Sequence, residues 1–331
     1  MAKGKVGVLV TVLVVGCGGV FGWGPESQQD QEAAFHEFTQ RYGKAYASSA
    51  EQQLRFQLFQ QASDSIVQHN RAQSTSSLAI NDFADLTIAE FSANFLGSPP
   101  PVHRPTVTYP TYNLPNEVDW TLTGAVSPVL NQGLCGADWA YAAAGAIEGL
   151  LWVQNSTVQQ LSAQQLIDCS HKFGNEGCFA GTVEHAYQYV IASGGLESIR
   201  NYPIRQFAGF CQSNSNKFIS QVRNYTFVTS NDELQLKAAV SRQPVAAMVE
   251  ADQPAFMFYH SGVITSGCGT RPNHAILVVG FGEEMGVPYW LVKNSWGVNW
   301  GEAGFVKLYR EDANNNRPGT CGIAVAPSVP F

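Results

Sequence analysis

The cysteine count constrains the fold of this chain more than any other feature of its sequence. The chain has seven cysteines, and Cys17 lies in an N-terminal segment that resembles a cleaved secretory signal. In that segment Lys3 and Lys5 precede an apolar run from Val6 to Val15, and small residues follow. Removal of Cys17 leaves an even set of six cysteines in a secretory context, which predicts three disulfides and leaves their pairing open. The six are Cys135, Cys169, Cys178, Cys211, Cys268 and Cys321.

The N-terminal segment also indicates the compartment. We interpret residues 1–23 as the signal peptide, because the apolar run is too short to span a bilayer. The segment Val14–Cys17 also fits a bacterial lipoprotein signal, which the sequence leaves open. Two glycosylation sequons begin at Asn155 and Asn224. Together these features predict a secreted, lysosomal or vacuolar protein.

Length and composition describe a globular chain with no nucleic-acid partner. The 331 residues are enough for two domains, and 45% of them are hydrophobic while 14% are charged. The formal net charge of −7 provides no basic face for nucleic acid. We expect a monomer that needs no metal or other cofactor.

The region before residue 114 divides into a helical part and a connector. Phe35, Phe38 and Tyr42 form one apolar stripe at helical spacing, and residues from about 32 to 70 predict two helices. Glu51 lies four residues before Arg55, a favourable ion-pair order on a helix. Prolines then become frequent and predict an exposed, extended connector. They are Pro99, Pro100, Pro101, Pro105, Pro110 and Pro115.

The remaining two thirds of the chain change from helical to β-rich patterns. Residues from Asp138 to about Trp152 favour a helix, and Leu161–Asp168 predicts another with Ser162 as its N-cap. After about Tyr225 the pattern turns to short β-rich runs separated by glycines. This order predicts an α+β protein with a helical half followed by a β half.

Three segments together resemble the papain-like cysteine proteases. The segment 131–141, with the sequence NQGLCGADWAY, resembles their active-site signature, in which Asp138 stands at the position of the nucleophilic cysteine. The segments 273–275 and 294–297 resemble those that carry the family's catalytic histidine and its orienting asparagine. Upstream, two interspersed motifs are similar to those of cathepsin L-like inhibitory propeptides. Their matching residues are Glu51, Arg55, Phe59, Ile66, Asn70, Asn81, Phe83 and Asp85.

The resemblance implies a domain organisation. It implies a papain-like α+β fold of two lobes, the left lobe helical and the right lobe β-barrel-like, preceded by a helical propeptide. We expect the signal at 1–23, the propeptide at 24–113, the helical lobe at 114–222 and the β-rich lobe at 223–331. The resemblance also implies the disulfides Cys135–Cys178, Cys169–Cys211 and Cys268–Cys321. It implies two partners for the cleft: the chain's own propeptide, and a polypeptide ligand or substrate.

The resemblance further implies roles at the site. Gln132 would stabilise the oxyanion, His274 would act as acid and base, Asn294 would orient that histidine, and Trp296 would shield their hydrogen bond. The backbone of Gly181 would pair with substrate. The main specificity pocket would be apolar, although ordinary core packing is an alternative for its three residues. They are Val183, Ala275 and Ala326.

Asp138 decides the expected activity. A carboxylate is a weak nucleophile, and its attack on an amide would give an unfavourable mixed anhydride. An aspartic-protease mechanism needs a second carboxylate, and the matched motifs contain none. We therefore expect a homologue without peptidase activity that acts by binding, storage or scaffolding. The alternatives are an active endopeptidase with a misreported residue, an unusual hydrolase that uses Asp138, and an inhibitor of active relatives.

Overall fold

The structure is a computed structural model that describes residues 27–72, 75–99, 106–156, 159–312 and 316–331. The interpreted signal peptide, with Cys17, lies outside the described residues, and so do residues 100–105 of the connector. Within the described ranges, none of the helices is long and apolar enough to cross a membrane.

The described residues contain eight α-helices and ten β-strands. The helices are α1 (Gln28–Arg41), α2 (Ser49–Arg71), α3 (Ile88–Phe95), α4 (Asp138–Asn155), α5 (Ala163–Cys169), α6 (Val183–Ser193), α7 (Glu233–Val240) and α8 (Pro254–Met257). The strands are β1 (Ser76–Leu78), β2 (Thr106–Val107), β3 (Val118–Asp119), β4 (Tyr225–Val228), β5 (Val245–Val249), β6 (Tyr259–Ile264), β7 (His274–Glu284), β8 (Val287–Lys293), β9 (Phe305–Tyr309) and β10 (Ser328–Pro330). This content confirms the predicted α+β class.

Helix α4 forms the centre of the helical lobe. Its alanines and glycines let neighbouring elements approach closely, and Trp139 and Ile147 are fully buried on it. Helices α5 and α6 pack against it. The hydroxyl of Ser162 accepts a hydrogen bond from the N–H of Gln165, which confirms Ser162 as the N-cap of α5.

One sheet organises the β-rich lobe. Its strands lie in the order β1-β6-β9-β8-β7-β5-β10-β4-β2, and β3 also pairs with β7. Strand β7 is antiparallel to both β5 and β8, and it is buried over most of its length. Because α4 packs on β7 and His274 is the first residue of β7, the sheet brings this histidine to the boundary between the lobes.

The propeptide region packs as a small aromatic unit. Phe35 on α1 contacts Phe56 and Phe59 on α2, with ring centroids 5.2 and 5.4 Å apart. Strand β1 extends the sheet of the β-rich lobe by pairing with β6. Asn81 donates its side-chain N–H to the main-chain carbonyl of Met257 at 2.7 Å. The predicted propeptide is therefore joined to the β-rich lobe by main-chain and side-chain hydrogen bonds.

Arg55 connects α2 to α3. The predicted pair with Glu51 is present, with 3.7 Å between Nη2 and Oε1. A partner that the sequence did not indicate is closer: the guanidinium donates two hydrogen bonds of 2.7 Å to the carboxylate of Glu90. This bidentate contact lowers the pKa of Glu90 to about 2, and donors from Thr87 add to the effect.

The structure pairs the cysteines as Cys135–Cys178, Cys169–Cys211 and Cys268–Cys321. These are the pairings that the family resemblance implies. The first two join segments within the helical half, and the third lies in the β-rich half. Each holds loops that carry little regular structure of their own.

The connector after α3 differs from the exposed segment that its prolines predict. Gly97 and Ser98 are buried, and exposed chain begins at Pro99. Further on, β2 pairs in parallel with β4. Tyr109 then exchanges two hydrogen bonds with the side chain of Gln235. Proline content excludes helix but does not prevent burial of neighbouring residues, so the expectation of exposure was wrong at Gly97 and Ser98. Residues 106–109 are exposed or half-buried, and their pairing is a contact that the prolines did not indicate.

Candidate active site

Asp138 begins α4 and places its carboxylate at the positive end of the helix. The preceding residue, Ala137, has no side chain that could cap the helix. The Oδ1 atom of Asp138 accepts the N–H of Trp139 at 2.9 Å and the N–H of Gly97 at 3.2 Å. Oδ1 therefore accepts one hydrogen bond from the first turn of α4 and one from the predicted propeptide.

The other oxygen of Asp138 faces the β-rich lobe. Oδ2 accepts the main-chain N–H of Ala275 at 2.8 Å and lies 2.9 Å from Nδ1 of His274. The second contact has ion-pair distance but not the direction of a hydrogen bond. Both side chains are 0% exposed, so the pair is shielded from bulk water. The fold thus brings together two residues that lie 136 positions apart in the chain.

Asn294 holds the opposite side of the imidazole. Nε2 of His274 lies 2.8 Å from Oδ1 of Asn294, and the main-chain N–H of Ser295 donates to the same oxygen at 2.8 Å. Because the main-chain donor identifies Oδ1 as the acceptor, Nε2 of His274 carries the proton. The ring of Trp296 covers this arrangement with its centroid 4.6 Å from that of His274.

Gln132 lies beside the start of α4 and is fully buried. Its Nε2 donates to the carbonyl oxygens of Phe95 and Cys135, at 3.0 and 2.9 Å. Its Oε1 accepts the hydroxyl of Ser295 at 2.5 Å. Sequence reasoning did not indicate Ser295, which fixes the amide so that its donor end faces the cleft.

The cleft contains the end of the propeptide region. The N–H of Gly181 donates to the carbonyl of Gly97 at 2.9 Å, and Gly97 in turn donates to Asp138. A Cβ atom at Gly97 would lie 1.5 Å from the carbonyl oxygen of Gly136, so only glycine fits between the walls. With the bond from Gln132 to Phe95, the backbone of this short segment is held from both sides.

The residues predicted to line the specificity pocket are all buried. Val183 and Ala275 belong to the apolar core of the helical lobe, and Ala326 is also buried. Their role in a pocket stays a prediction. Close to these residues in the chain, the side chain of Phe179 is 85% exposed. Gly181 has no room for a side chain, since its Cβ would lie 2.3 Å from the ring of Trp139.

A buried polar cluster behind the site was not indicated by the sequence. The hydroxyl of Ser127 donates to Glu148 at 2.6 Å and lies 3.2 Å from Nζ of Lys293, which also donates to the Ser127 carbonyl. Burial raises the pKa of Glu148 and lowers the pKa of Lys293. The cluster joins α4 to the end of β8, next to Asn294. Its residues lie far apart in the chain and meet only in the folded protein, so no local motif indicates the cluster.

The two predicted glycosylation sites lie at the surface. Asn155 ends α4 and Asn224 precedes β4, and both are exposed, as an attached glycan requires. Among the described residues, no group of three or more His, Cys, Asp or Glu side chains could hold a metal ion.

Comparisons with known proteins identify the family. The family model described as "Papain family cysteine protease" matches residues 114–331, and "Cathepsin propeptide inhibitor domain (I29)" matches residues 35–91. Fruit bromelain of Ananas comosus is 36% identical over 89% of this chain and 85% of its own length. A probable cysteine protease of Arabidopsis thaliana, RDL6, is 38% identical over 92% of this chain and 87% of its own.

A solved structure of similar architecture includes a propeptide. The proform of Amb a 11, a cysteine protease and ragweed pollen allergen, superposes with a TM-score of 0.82 at 32% identity, covering 92% of this chain and 94% of its own. The two family matches, the identities and the shared fold lead to one conclusion. This chain belongs to the papain family of cysteine proteases and carries a cathepsin-type propeptide inhibitor domain.

Proposed function

We propose that this protein is a papain-family homologue without peptidase activity, which binds polypeptide in its cleft. One observation carries the proposal: Asp138 occupies the start of α4 beside His274, where the family signature has its nucleophilic cysteine. Six cysteines are paired in disulfides, so none of them supplies a thiol at this place.

The contacts of Asp138 argue against a role as nucleophile. Its two oxygens accept hydrogen bonds from three main-chain N–H groups, and the ring of His274 lies 2.9 Å from Oδ2. A carboxylate whose lone pairs are engaged in this way is even less reactive toward an amide. His274, Asn294 and Gln132 then have no thiolate to assist.

The same contacts support a binding role. Asp138 accepts a main-chain N–H from Gly97, and Gly181 donates to its carbonyl, so the site recognises extended backbone on both sides. The chain's own propeptide uses these contacts in the structure. A polypeptide of similar backbone geometry is the class of ligand that we propose for the cleft once it is vacated.

We further propose that the protein works in a secretory, lysosomal or vacuolar compartment as a glycosylated monomer. Three disulfides and two exposed sequon asparagines support this environment. The boundaries 24–113 for the propeptide, 114–222 for the helical lobe and 223–331 for the β-rich lobe belong to the same proposal.

Active-site labelling tests the absence of a peptidase. The recombinant precursor is incubated at acidic pH, cut in the connector by an added protease, and exposed to an epoxide that alkylates active-site thiols. We expect no self-conversion and no label, with an active papain-family enzyme labelled in parallel as the control. Labelling in stoichiometric amount would instead support the second candidate, an ordinary cysteine protease, which the names of the relatives favour.

A further inference from the structure

Two small cavities lie between the lobes, directly behind the site. Their volumes are about 30 and 20 Å³. Both are bordered by Tyr141 on α4, by Lys293 at the end of β8, and by Asn294. The larger one is also bordered by Ser127 and Glu148. The cavities therefore connect the buried polar cluster to the asparagine that holds His274.

The amide of Asn294 has a fixed orientation. Its Oδ1 accepts the main-chain N–H of Ser295 as well as Nε2 of His274, so Nδ2 must point away from both. Nδ2 is buried, and among the described residues no protein group accepts its protons. A buried amide donor without a partner costs stability and is rare in native proteins.

Within the described residues, the second unpartnered polar group at the cavities is the hydroxyl of Tyr141. It is buried, and no partner for it is found in the described part of the chain. Burial raises the pKa of Tyr141, so the phenol stays neutral and can both donate and accept. Tyr141 borders both cavities together with Asn294.

The size of the cavities decides what they can hold. One ordered water needs about 10–15 Å³ of this kind of space, so about two waters fit the larger cavity and about one fits the smaller. Neither cavity has room for an organic ligand. Water also has the required chemistry, because it accepts from an amide and exchanges hydrogen bonds with a phenol.

We propose that these cavities are a structural water site that bridges Nδ2 of Asn294 to the hydroxyl of Tyr141, which makes Tyr141 a positioning residue for the Asn294–His274 pair. In the larger cavity, Lys293 and Ser127 supply further polar partners. The waters join α4 of one lobe to the end of β8 of the other. This inference does not depend on the chemistry at Asp138.

Crystallography of the intact precursor tests the site directly. We expect ordered water density within hydrogen-bond distance of both Nδ2 of Asn294 and the hydroxyl of Tyr141, repeated in independent crystal forms. The Tyr141→Phe variant keeps the ring and removes the hydroxyl, so the bridging water should be lost from it. If wild-type crystals at high resolution show no water between the two atoms, the proposal is wrong.

Proton exchange tests the positioning role. In protein labelled with ¹⁵N-histidine, the Nε2 proton of His274 should exchange with solvent about tenfold faster in Tyr141→Phe, the effect expected for losing one hydrogen bond of support. Tyr189→Phe is the control, since its buried hydroxyl accepts from Gln165 and borders neither cavity. Equal exchange rates in the two variants would show that Tyr141 has no positioning role.

Discussion

The main-chain N–H of Gly97 donates a hydrogen bond to Oδ1 of Asp138 at 3.2 Å. A residue that precedes the protease domain is thus bonded to the first residue of α4. Because a hydrogen bond to a charged acceptor is stronger than one to a neutral group, the carboxylate adds to the hold on the propeptide. The side chain of Asp138 therefore helps to hold the main chain at Gly97 in place.

Loss of the Asp138 carboxylate should weaken the hold on the propeptide. After an added protease cuts the connector, we expect Asp138→Ala to release the propeptide about tenfold faster than wild type, in keeping with one lost charge-assisted hydrogen bond. Size-exclusion chromatography over time measures the release. Glu176→Ala, which removes an exposed acid, is the matched control and should behave as wild type. Equal release from Asp138→Ala and wild type would refute the anchor.

Strand β2 should stay attached after the connector is cut. Its pairing with β4 and the two bonds between Tyr109 and Gln235 hold residues 106–109 against the β-rich lobe. We expect the first stable product of a limited digestion to begin at or before Thr106, and trimming on to the proposed boundary at Leu114 to be slow, as read by N-terminal sequencing over time. Gln235→Ala should allow trimming past Tyr109. A wild-type chain that is trimmed to Leu114 as fast as Gln235→Ala would contradict this prediction.

Acidification should loosen the propeptide through Glu90. Its pKa is lowered to about 2 in the folded protein, from an ordinary value of 4.5. A lowered folded pKa stabilises the protein above the unfolded value, and this stability is lost as pH falls from about 4.5 toward 2. Glu90→Gln should therefore lower Tm at neutral pH and flatten its decline over that interval.

The control for this titration is Glu37→Gln, which removes an exposed carboxylate on α1. It should leave both Tm and its pH dependence unchanged. If Glu90→Gln and wild type lose stability in parallel between pH 4.5 and 2, the pair of Arg55 and Glu90 does not supply the acid sensitivity.

Local motifs predicted much of the fold and of the site. The segments around Asp138, His274 and Asn294 each match a family pattern, and the structure brings all three together. Helix spacing and capping also predicted α2 and α5, because both signals depend on residues only three or four positions apart. What is encoded within a few residues could therefore be predicted from the chain alone.

Contacts between distant segments could not be predicted in the same way. The bond from Gly97 to Asp138 spans 41 positions, and that from Arg55 to Glu90 spans 35. No local pattern specifies such pairs, since they depend on how whole elements dock. The buried cluster of Ser127, Glu148 and Lys293 is of the same kind, and so is the burial of the chain beside Pro99.

Restoring the thiol tests the central claim most directly. If Asp138 alone removes the peptidase activity, propeptide-free Asp138→Cys should hydrolyse a peptide with an apolar residue second from the scissile bond. Its thiol-dependent turnover should exceed that of wild type by at least about two orders of magnitude, because Gln132, His274 and Asn294 are already in place. Wild type that matches the variant in turnover, or a folded variant that stays inert, would contradict the account.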